Sequence, residues 1–249
     1  SVDIKDKKSA GFGFKSITDK SGFSLNVTFE GGYMIHNNST KMKVLMLYFS
    51  GTGNTRWVIQ KLGNRLYKRG HSVMSHFIDY RTDISDIDIN TSDILVIAYP
   101  IYASKAPELL CDILRKLPIA VNMPVVYIST AGYMVGDVNI STHKLIANKG
   151  YRMLVAAGFI MGNNLHLPKL CPLRVTSTKK MKKRLHTASG KIDRIVMKME
   201  NNMPYREGGG AISKIYGDAQ RLVNLSHVNV GFYTDDSCVK CAWCVNHCP

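Results

Sequence analysis

The amino-acid sequence predicts an α/β fold, a doubly wound parallel sheet of five strands covered by helices, followed by a short cysteine-rich segment. Two observations predict it. From residue 42 onward, short apolar runs alternate with amphipathic stretches, which is the pattern of parallel strands joined by helices. Closely spaced Cys residues then occupy the final stretch, 238–249. Segment 1–41 follows neither pattern.

Each apolar run is short, and we predict strands at 44–49, 72–78, 94–99, 125–129 and 153–159. The stretches between them have helical spacing, with Val58, Leu62 and Leu66 on one face of the first helix and a capping hydroxyl, Ser141, opening the third. The predicted helices span residues 54–68, 107–117 and 141–149, then 179–199 and 212–225.

Segment 1–41 admits two interpretations. Phe23, Leu25, Val27 and Phe29 alternate with polar residues and precede two glycines, which predicts a short strand and a turn. Equally, Met42 stands directly before the first strand, so everything upstream could be an extension or a misplaced start. We therefore divide the chain into regions 1–41, 42–225 and 226–249.

Composition sets the broad class. With 249 residues and 45% hydrophobic content, the chain can bury a full core. No apolar run approaches the roughly 20 residues of a membrane helix, and the N-terminus lacks the apolar core of a signal peptide. We predict a cytoplasmic protein, because closely spaced free Cys suit a reducing compartment.

The formal net charge is +15, and much of the excess lies on the predicted helix 179–199. A basic helical face of this kind is either simply solvated or a docking surface for an acidic redox partner or an acidic membrane. Nucleic acid is the least favoured partner, since no aromatic stacking pattern accompanies the charges. The cations cluster at Lys179, Lys180, Lys182, Lys183 and Arg184.

A loop rich in glycine and hydroxyl groups joins the first strand to the first helix. Such a turn at a helix N-terminus offers backbone N–H groups and a favourable dipole to an anion. It is not a Walker loop, because no Lys follows the glycines, and Arg56 occupies the place of the third Gly of a dinucleotide motif. Its residues are Ser50, Gly51, Thr52, Gly53, Asn54 and Thr55.

Two further loops follow the third and fourth predicted strands, at the same edge of a parallel sheet. The candidate residues are Pro100, Ile101, Tyr102 and Ala103 in one loop, and Thr130, Ala131, Gly132 and Tyr133 in the other. Each aromatic residue in them could by itself be simple core or rim, but three loops at three strand ends, in the positions where flavodoxin-like proteins bind their cofactor, together favour by resemblance a cofactor site.

The chain ends on Cys238, Cys241, Cys244 and Cys248 followed by Pro249, spaced C-x2-C-x2-C-x3-C-P. This is the run with which bacterial ferredoxins bind iron–sulfur clusters. A zinc knuckle is the next interpretation, and local disulfides are the last, because such close Cys pair at poor geometry. Since there is no second run to complete a two-cluster site, we expect the sequence to be part of a longer protein.

Residues 42–249 resemble the fused flavodoxin–ferredoxin electron-transfer proteins of anaerobes. The resemblance implies a flavodoxin-like strand order 2-1-3-4-5, FMN with its phosphate in loop 50–55, and Tyr102 stacked on the flavin ring. It also implies [4Fe-4S] clusters, two in the full-length protein, and redox partner proteins. The missing second Cys run and the bulky Trp243 depart from the family pattern.

The function expected from this resemblance is electron transfer between [4Fe-4S] clusters and FMN. One alternative is an FMN-dependent reductase, with residues 162–175 building a substrate pocket; another is a binding module without cofactor. No catalytic residue stands out, because the His residues are scattered and no Ser–His–acid order is present.

Overall fold

A computed structural model of the chain describes residues 41–163, 175–208, 210–222 and 235–243, together with four strands between residues 3 and 36. The chain divides into two compact units, Ser1–Thr40 and Lys41–Pro249. In the first unit, four strands form an antiparallel sheet in chain order: β1 (Asp3–Ser9), β2 (Phe12–Thr18), β3 (Ser24–Glu30) and β4 (Tyr33–His36).

Of these four strands, the sequence predicted only β3, through its alternation of apolar and polar residues. β1 escaped prediction because its sequence, DIKDKKS, contains one apolar residue among charged and polar ones. The predicted turn at the two glycines 31 and 32 lies outside the described residues, as does the predicted boundary at residue 225.

The second unit contains a six-stranded parallel sheet in the order β10-β9-β8-β7-β5-β6. Its five longer strands have the order 2-1-3-4-5, so the predicted flavodoxin-like α/β fold is confirmed. β10 was not predicted, because only two of its residues pair with β9. The strands are β5 (Lys43–Tyr48), β6 (Ser72–Phe77), β7 (Ile94–Pro100), β8 (Met123–Ala131), β9 (Tyr151–Ile160) and β10 (Tyr205–Arg206).

Five α-helices accompany this sheet in the described part of the unit, and none of them is long and apolar enough to cross a membrane. The predicted bounds hold closely except for the third helix. Ser141 does not cap it: the Ser141 hydroxyl donates to the Val138 carbonyl at 3.0 Å, inside a helix that begins three residues earlier. The helices are α1 (Asn54–Lys68), α2 (Glu108–Lys116), α3 (Val138–His143), α4 (Thr178–Glu200) and α5 (Ala211–Leu222).

The central sheet separates two apolar layers. Alternate residues of β5 face opposite layers: Leu45 and Leu47 pack with α2 and α3, whereas Val44 and Met46 pack with α1 and α4. This alternation follows from the two-residue period of a strand. The layer under α1 and α4 is fully buried at Val58, Leu62, Leu66, Ile192, Ile195 and Val196. α1 and α4 are therefore neighbours on one face of the sheet.

A buried polar cluster fastens the C-terminal end of α4 to the turn after α1. The His71 side chain is fully buried, and its Nδ1 accepts a hydrogen bond from the Met42 N–H at 3.2 Å. Nε2 therefore carries the proton and donates to the Glu200 carboxylate at 3.0 Å. Arg69 pairs with the other carboxylate oxygen at 2.5 Å. Loss of Glu200 would leave a buried donor unpaired.

Glu200→Ala is expected to lower the free energy of unfolding by about 2 kcal/mol, because it orphans the buried His71 N–H. The matched control is Asp193→Ala, which removes the half-exposed partner of Arg65 (2.8 Å) and is expected to cost less than about 1 kcal/mol. Urea unfolding midpoints at neutral pH measure both. Equal losses in the two variants would contradict the structural importance of the cluster.

Candidate functional site

The loop between β5 and α1 presents an array of unpaired backbone donors. The Ser50 hydroxyl oxygen accepts the Arg56 N–H at 3.1 Å, so Ser50 caps the first turn of α1. Gly53 has φ +83°, a left-handed conformation that glycine adopts without steric cost. None of the N–H groups of residues 51–55 forms a hydrogen bond within the described part of the chain.

These donors lie at the positive end of the α1 dipole, with no cationic side chain among them. The nearest cation in sequence, Arg56, turns away and lies over the Phe77 ring, with 5.4 Å between the guanidinium carbon and the ring centroid. A β-carbon at Gly53 would have no atom within 4 Å. The loop is therefore an open cradle of N–H groups.

Hydrogen bonds join this cradle to the ends of the neighbouring strands. The hydroxyls of Thr55 and Thr130 lie 2.9 Å apart and are buried. The Thr130 carbonyl accepts the Ile101 N–H at 2.8 Å, and the Asn54 side-chain amide donates to the Gly162 carbonyl at 2.9 Å. The carboxyl ends of β5, β7, β8 and β9 thus meet at one place, as the sequence predicted for the first three.

The loop after β7 is a tight turn that projects Tyr102. Tyr102 and Lys105 exchange backbone hydrogen bonds of 3.0 and 2.9 Å, which closes a two-residue turn on Ala103 (φ 47°) and Ser104 (φ 60°). Left-handed conformations cost roughly 1–2 kcal/mol for residues with a side chain. Such strain is concentrated at functional sites.

Tyr102 lies beside the cradle and is 48% exposed. A β-carbon added to Gly51 would lie 2.7 Å from its hydroxyl oxygen, so the phenol is held against the loop. Burial raises the pKa of Tyr102, which keeps the hydroxyl protonated at neutral pH. Pro100 ends β7, and the N–H groups of Ile101 and Tyr102 are already bonded within the protein.

The loop after β8 is covered by the residues that follow β9. Ala131 ends β8, and its carbonyl accepts the Met161 N–H at 2.8 Å. A β-carbon at Gly132 would lie 3.1 Å from Asn163 Cβ, so a larger residue here would have to displace Asn163 by a few tenths of an ångström. Tyr133 is 47% exposed.

Three backbone donors in these two loops remain available. The N–H groups of Ala103, Gly132 and Tyr133 have no hydrogen-bond partner among the residues that the structure describes. Together with the cradle, they give this edge of the sheet a set of free donors beside two half-exposed aromatic rings. That combination can hold an anionic group and a flat polar ring.

The sequence indicated residues 162–175 only as part of a possible substrate pocket and did not place Gly162 and Asn163 beside the cofactor loops. Both directly follow β9 and therefore lie at the same edge as the predicted loops. The Asn163 N–H donates to the Thr176 hydroxyl at 2.8 Å, which draws the start of α4 toward the site. The signal was present, because ligands of open α/β sheets bind outside the carboxyl ends of the strands, where these two residues lie. Residues 164–174 lie outside the described part.

The cysteine segment is described only up to residue 243. Cys238 and Cys241 are exposed, whereas Cys244 and Cys248 lie outside the described residues. Within the described residues no group of three or more side chains could hold a metal ion. Lys240 (φ 54°) and Ala242 (φ 57°) have left-handed backbones on either side of Cys241. Left-handed residues recur in the backbone N–H concavities that bind anions.

Comparisons with known proteins found solved structures only: no family model and no curated protein matches the chain. Flavodoxin 2 from Bacillus cereus is 15% identical, with a TM-score of 0.44 over 63% of this chain and 99% of that one. Rubredoxin oxygen:oxidoreductase from Desulfovibrio gigas is 15% identical, with a TM-score of 0.39 over 63% of this chain and 37% of that one. This chain therefore matches about a third of the longer protein.

The Thr55–Thr130 hydrogen bond is expected to stabilise the junction of the loops. Thr55→Val or Thr130→Val alone should cost about 1 kcal/mol of unfolding free energy, because each leaves a buried hydroxyl unpaired. The double variant should cost at least about 0.5 kcal/mol less than the sum, since no orphan remains. Urea unfolding of all four proteins measures this coupling. Strict additivity would show that the two hydroxyls do not interact.

Proposed function

We propose that this chain is an electron-transfer protein that binds FMN at the carboxyl ends of β5, β7 and β8. The observation that carries the proposal is the set of unpaired N–H groups at residues 51–55, linked by Thr55 and Thr130 to the two aromatic loops. Helix N-termini and successive N–H groups are favourable places for a phosphate. Neutral donors suffice for a phosphate ester that is one part of a larger ligand, because the rest of the ligand also contributes to binding.

The residues present fit FMN in both parts of the ligand. The phosphate would lie in the cradle against the N–H groups of residues 51–55, with the Ser50 and Thr52 hydroxyls beside it. The Thr55 hydroxyl and the Asn54 amide, bonded to Thr130 and Gly162, would hold the cradle in place. The flavin ring would lie between the loops after β7 and β8, where Tyr102 offers a face for stacking. The N–H groups of Ala103, Gly132 and Tyr133 would reach the polar edge of the ring.

Bound FMN supplies transfer of one or two electrons, chemistry that no side chain of this site provides. The chain's own residues would do three things. The cradle binds the phosphate, Tyr102 and Tyr133 cover the ring and exclude water from it, and the free N–H groups stabilise negative charge next to it. The half-exposure of both tyrosines would leave one edge of the ring accessible to a partner.

We further propose that Cys238, Cys241 and Cys244 supply three ligands to a [4Fe-4S] cluster that exchanges electrons with the flavin, and that Cys248 is a ligand of a second cluster. Two observations support it: the C-x2-C-x2-C-x3-C-P spacing and the left-handed backbone at Lys240 and Ala242. Alternating backbones of this type form N–H concavities at many iron–sulfur sites. A reducing cytoplasm, where thiolates stay available, is the compartment proposed for such a protein.

Gly53→Ala is expected to weaken FMN binding at least about tenfold, because alanine resists φ +83° and a change of this backbone would turn the N–H groups of the cradle away from the phosphate. Gly70→Ala is the matched control: Gly70 has φ +88° in the turn after α1, at the opposite edge of the sheet. Both variants should lose about 1 kcal/mol of stability. FMN titration followed by fluorescence separates them, and equal affinities would contradict the cradle assignment.

Tyr102→Ala is expected to raise the fluorescence of bound FMN and to shift its reduction potentials, because the stacked ring is removed. FMN should still bind, since the cradle is intact. Tyr67→Ala, on the exposed side of α1, is the control and should change neither quantity. Fluorescence and potentials equal to those of the wild type would make Tyr102 a simple rim residue.

Cys238→Ser and Cys241→Ser are expected to lower the iron and acid-labile sulfide retained after anaerobic reconstitution. Cys111→Ser should not, because Cys111 is buried in α2 and burial raises the pKa of its thiol. Zinc is measured in the same samples. Stoichiometric zinc without sulfide would contradict the cluster assignment and indicate a structural zinc site instead.

A further inference from the structure

The positive charge of the second unit is concentrated on one face of its sheet. α1 and α4 together carry twelve Lys and Arg side chains but only two carboxylates. On the other face, α2 carries two of each, and α3 has no Lys, Arg, Asp or Glu. The cationic side chains of α1 and α4, here called the basic face, thus hold most of the net charge of +15.

The carboxylates near the basic face are already engaged. Asp193 pairs with Arg65 at 2.8 Å, Glu200 with Arg69 at 2.5 Å, and Glu207 with Lys191 at 2.5 Å. No ion pair of the described residues involves the lysines in the first two turns of α4, Lys179, Lys180, Lys182 and Lys183. No Asp or Glu occurs in the parts of this unit that lie outside the described residues, namely 164–174, 209, 223–234 and 244–249.

The position of these lysines is unfavourable for the isolated protein. They lie at the N-terminus of α4, the positive end of its dipole, and the first turn has no acidic residue. Each cation there costs roughly 0.3–1 kcal/mol, and like charges four residues apart add to it. A merely solvated face gains nothing from this arrangement. An anionic partner would offset the cost.

A cleft lies within the basic face at the carboxyl end of β9. β10 pairs only with Val155 and Ala156. The Gly158 N–H and carbonyl are bonded to the Glu207 carboxylate and the Lys191 ammonium, so no strand pairs with the last residues of β9 on this side. Phe159 and Ile160 line the floor of a cavity of about 380 Å³, and Lys180, Lys183 and Arg184 line its wall. An apolar floor with a charged rim is the composition of a protein interface.

The cleft borders the candidate flavin site. Ile160, which ends β9, is two residues before Gly162, the residue whose carbonyl accepts the Asn54 amide of the cradle. A β-carbon at Gly162 would lie 2.8 Å from the Met181 sulfur, so the first turn of α4 packs directly over this junction. A partner seated in the cleft would therefore lie beside the cofactor loops.

We propose that the basic face docks an acidic electron-transfer protein, with the cleft at the centre of the interface. This rests on the proposed function, since a redox partner must approach the flavin closely. A nucleic acid fits less well, because the floor of the cleft offers no exposed aromatic ring for bases. The unpaired lysines steer the acidic partner, and the apolar floor retains it.

The test uses the full chain and a fluorescently labelled acidic [2Fe-2S] ferredoxin of the plant type as the probe, with a basic cytochrome c as the counter-probe. Lys180→Glu/Lys183→Glu is compared with Lys116→Glu/Lys144→Glu, which changes net charge equally on the opposite face. Both pairs are exposed. Fluorescence anisotropy at low and high ionic strength gives Kd, and FMN content is measured in every sample.

We expect the α4 pair to raise Kd for the ferredoxin about tenfold at low ionic strength, the control pair to raise it less than twofold, and cytochrome c not to bind the wild type. The docking surface would be overturned if the two pairs weakened ferredoxin binding equally or if neither weakened it. Binding of duplex RNA or anionic vesicles in place of ferredoxin would also overturn it. Selective weakening in a protein that holds no FMN would support the surface and refute the proposed function. If the protein holds FMN and the α4 pair does not weaken binding selectively, the proposed function would be supported and the docking surface refuted.

Discussion

The reversal of strand order at β5 is the constraint on which the candidate site depends. β6 lies on one side of β5 and β7 on the other, so the connections leaving their carboxyl ends diverge and open a crevice. The crevice is useful only because hydrogen bonds fix its walls. The Thr130 hydroxyl is bonded to Thr55 and the Thr130 carbonyl to the Ile101 N–H, so one residue sets the cradle and the ring loop in register.

Electrostatics at this edge operate on two length scales. Within the cradle, N–H dipoles act at contact distance and need no cationic side chain, as the placement of Arg56 over Phe77 shows. Beyond it, the lysines of α4 create a positive field that salt screens over roughly 8–10 Å. In the proposed docking, the same cations that penalise the start of α4 would guide an acidic partner to the site.

The sequence predicted the α/β fold well because its signals are local. The buried runs of β5 and β7 are almost wholly apolar, and the bounds of α1 follow from the Gly-rich loop before it and the Gly at its end. β10 could not be predicted, since two residues carry no periodicity. α3 was misplaced because a Ser hydroxyl can bond a carbonyl inside a helix as well as cap one.

Predictability of the candidate site divides in the same way. The three loops could be located from strand ends, but their junction could not, because Thr55 and Thr130 are 75 residues apart. Nor does any local signal reveal that Asn163 packs on Gly132, or that the Tyr102 hydroxyl lies against Gly51. Such contacts are products of the fold as a whole.

The visible absorption spectrum of the anaerobically purified wild-type chain, with quantification of the flavin released on denaturation, tests the central claim most directly. The account predicts flavin bands and FMN approaching equimolar amounts, either as purified or after incubation with FMN. A chain that is folded by circular dichroism and still takes up no FMN would contradict it.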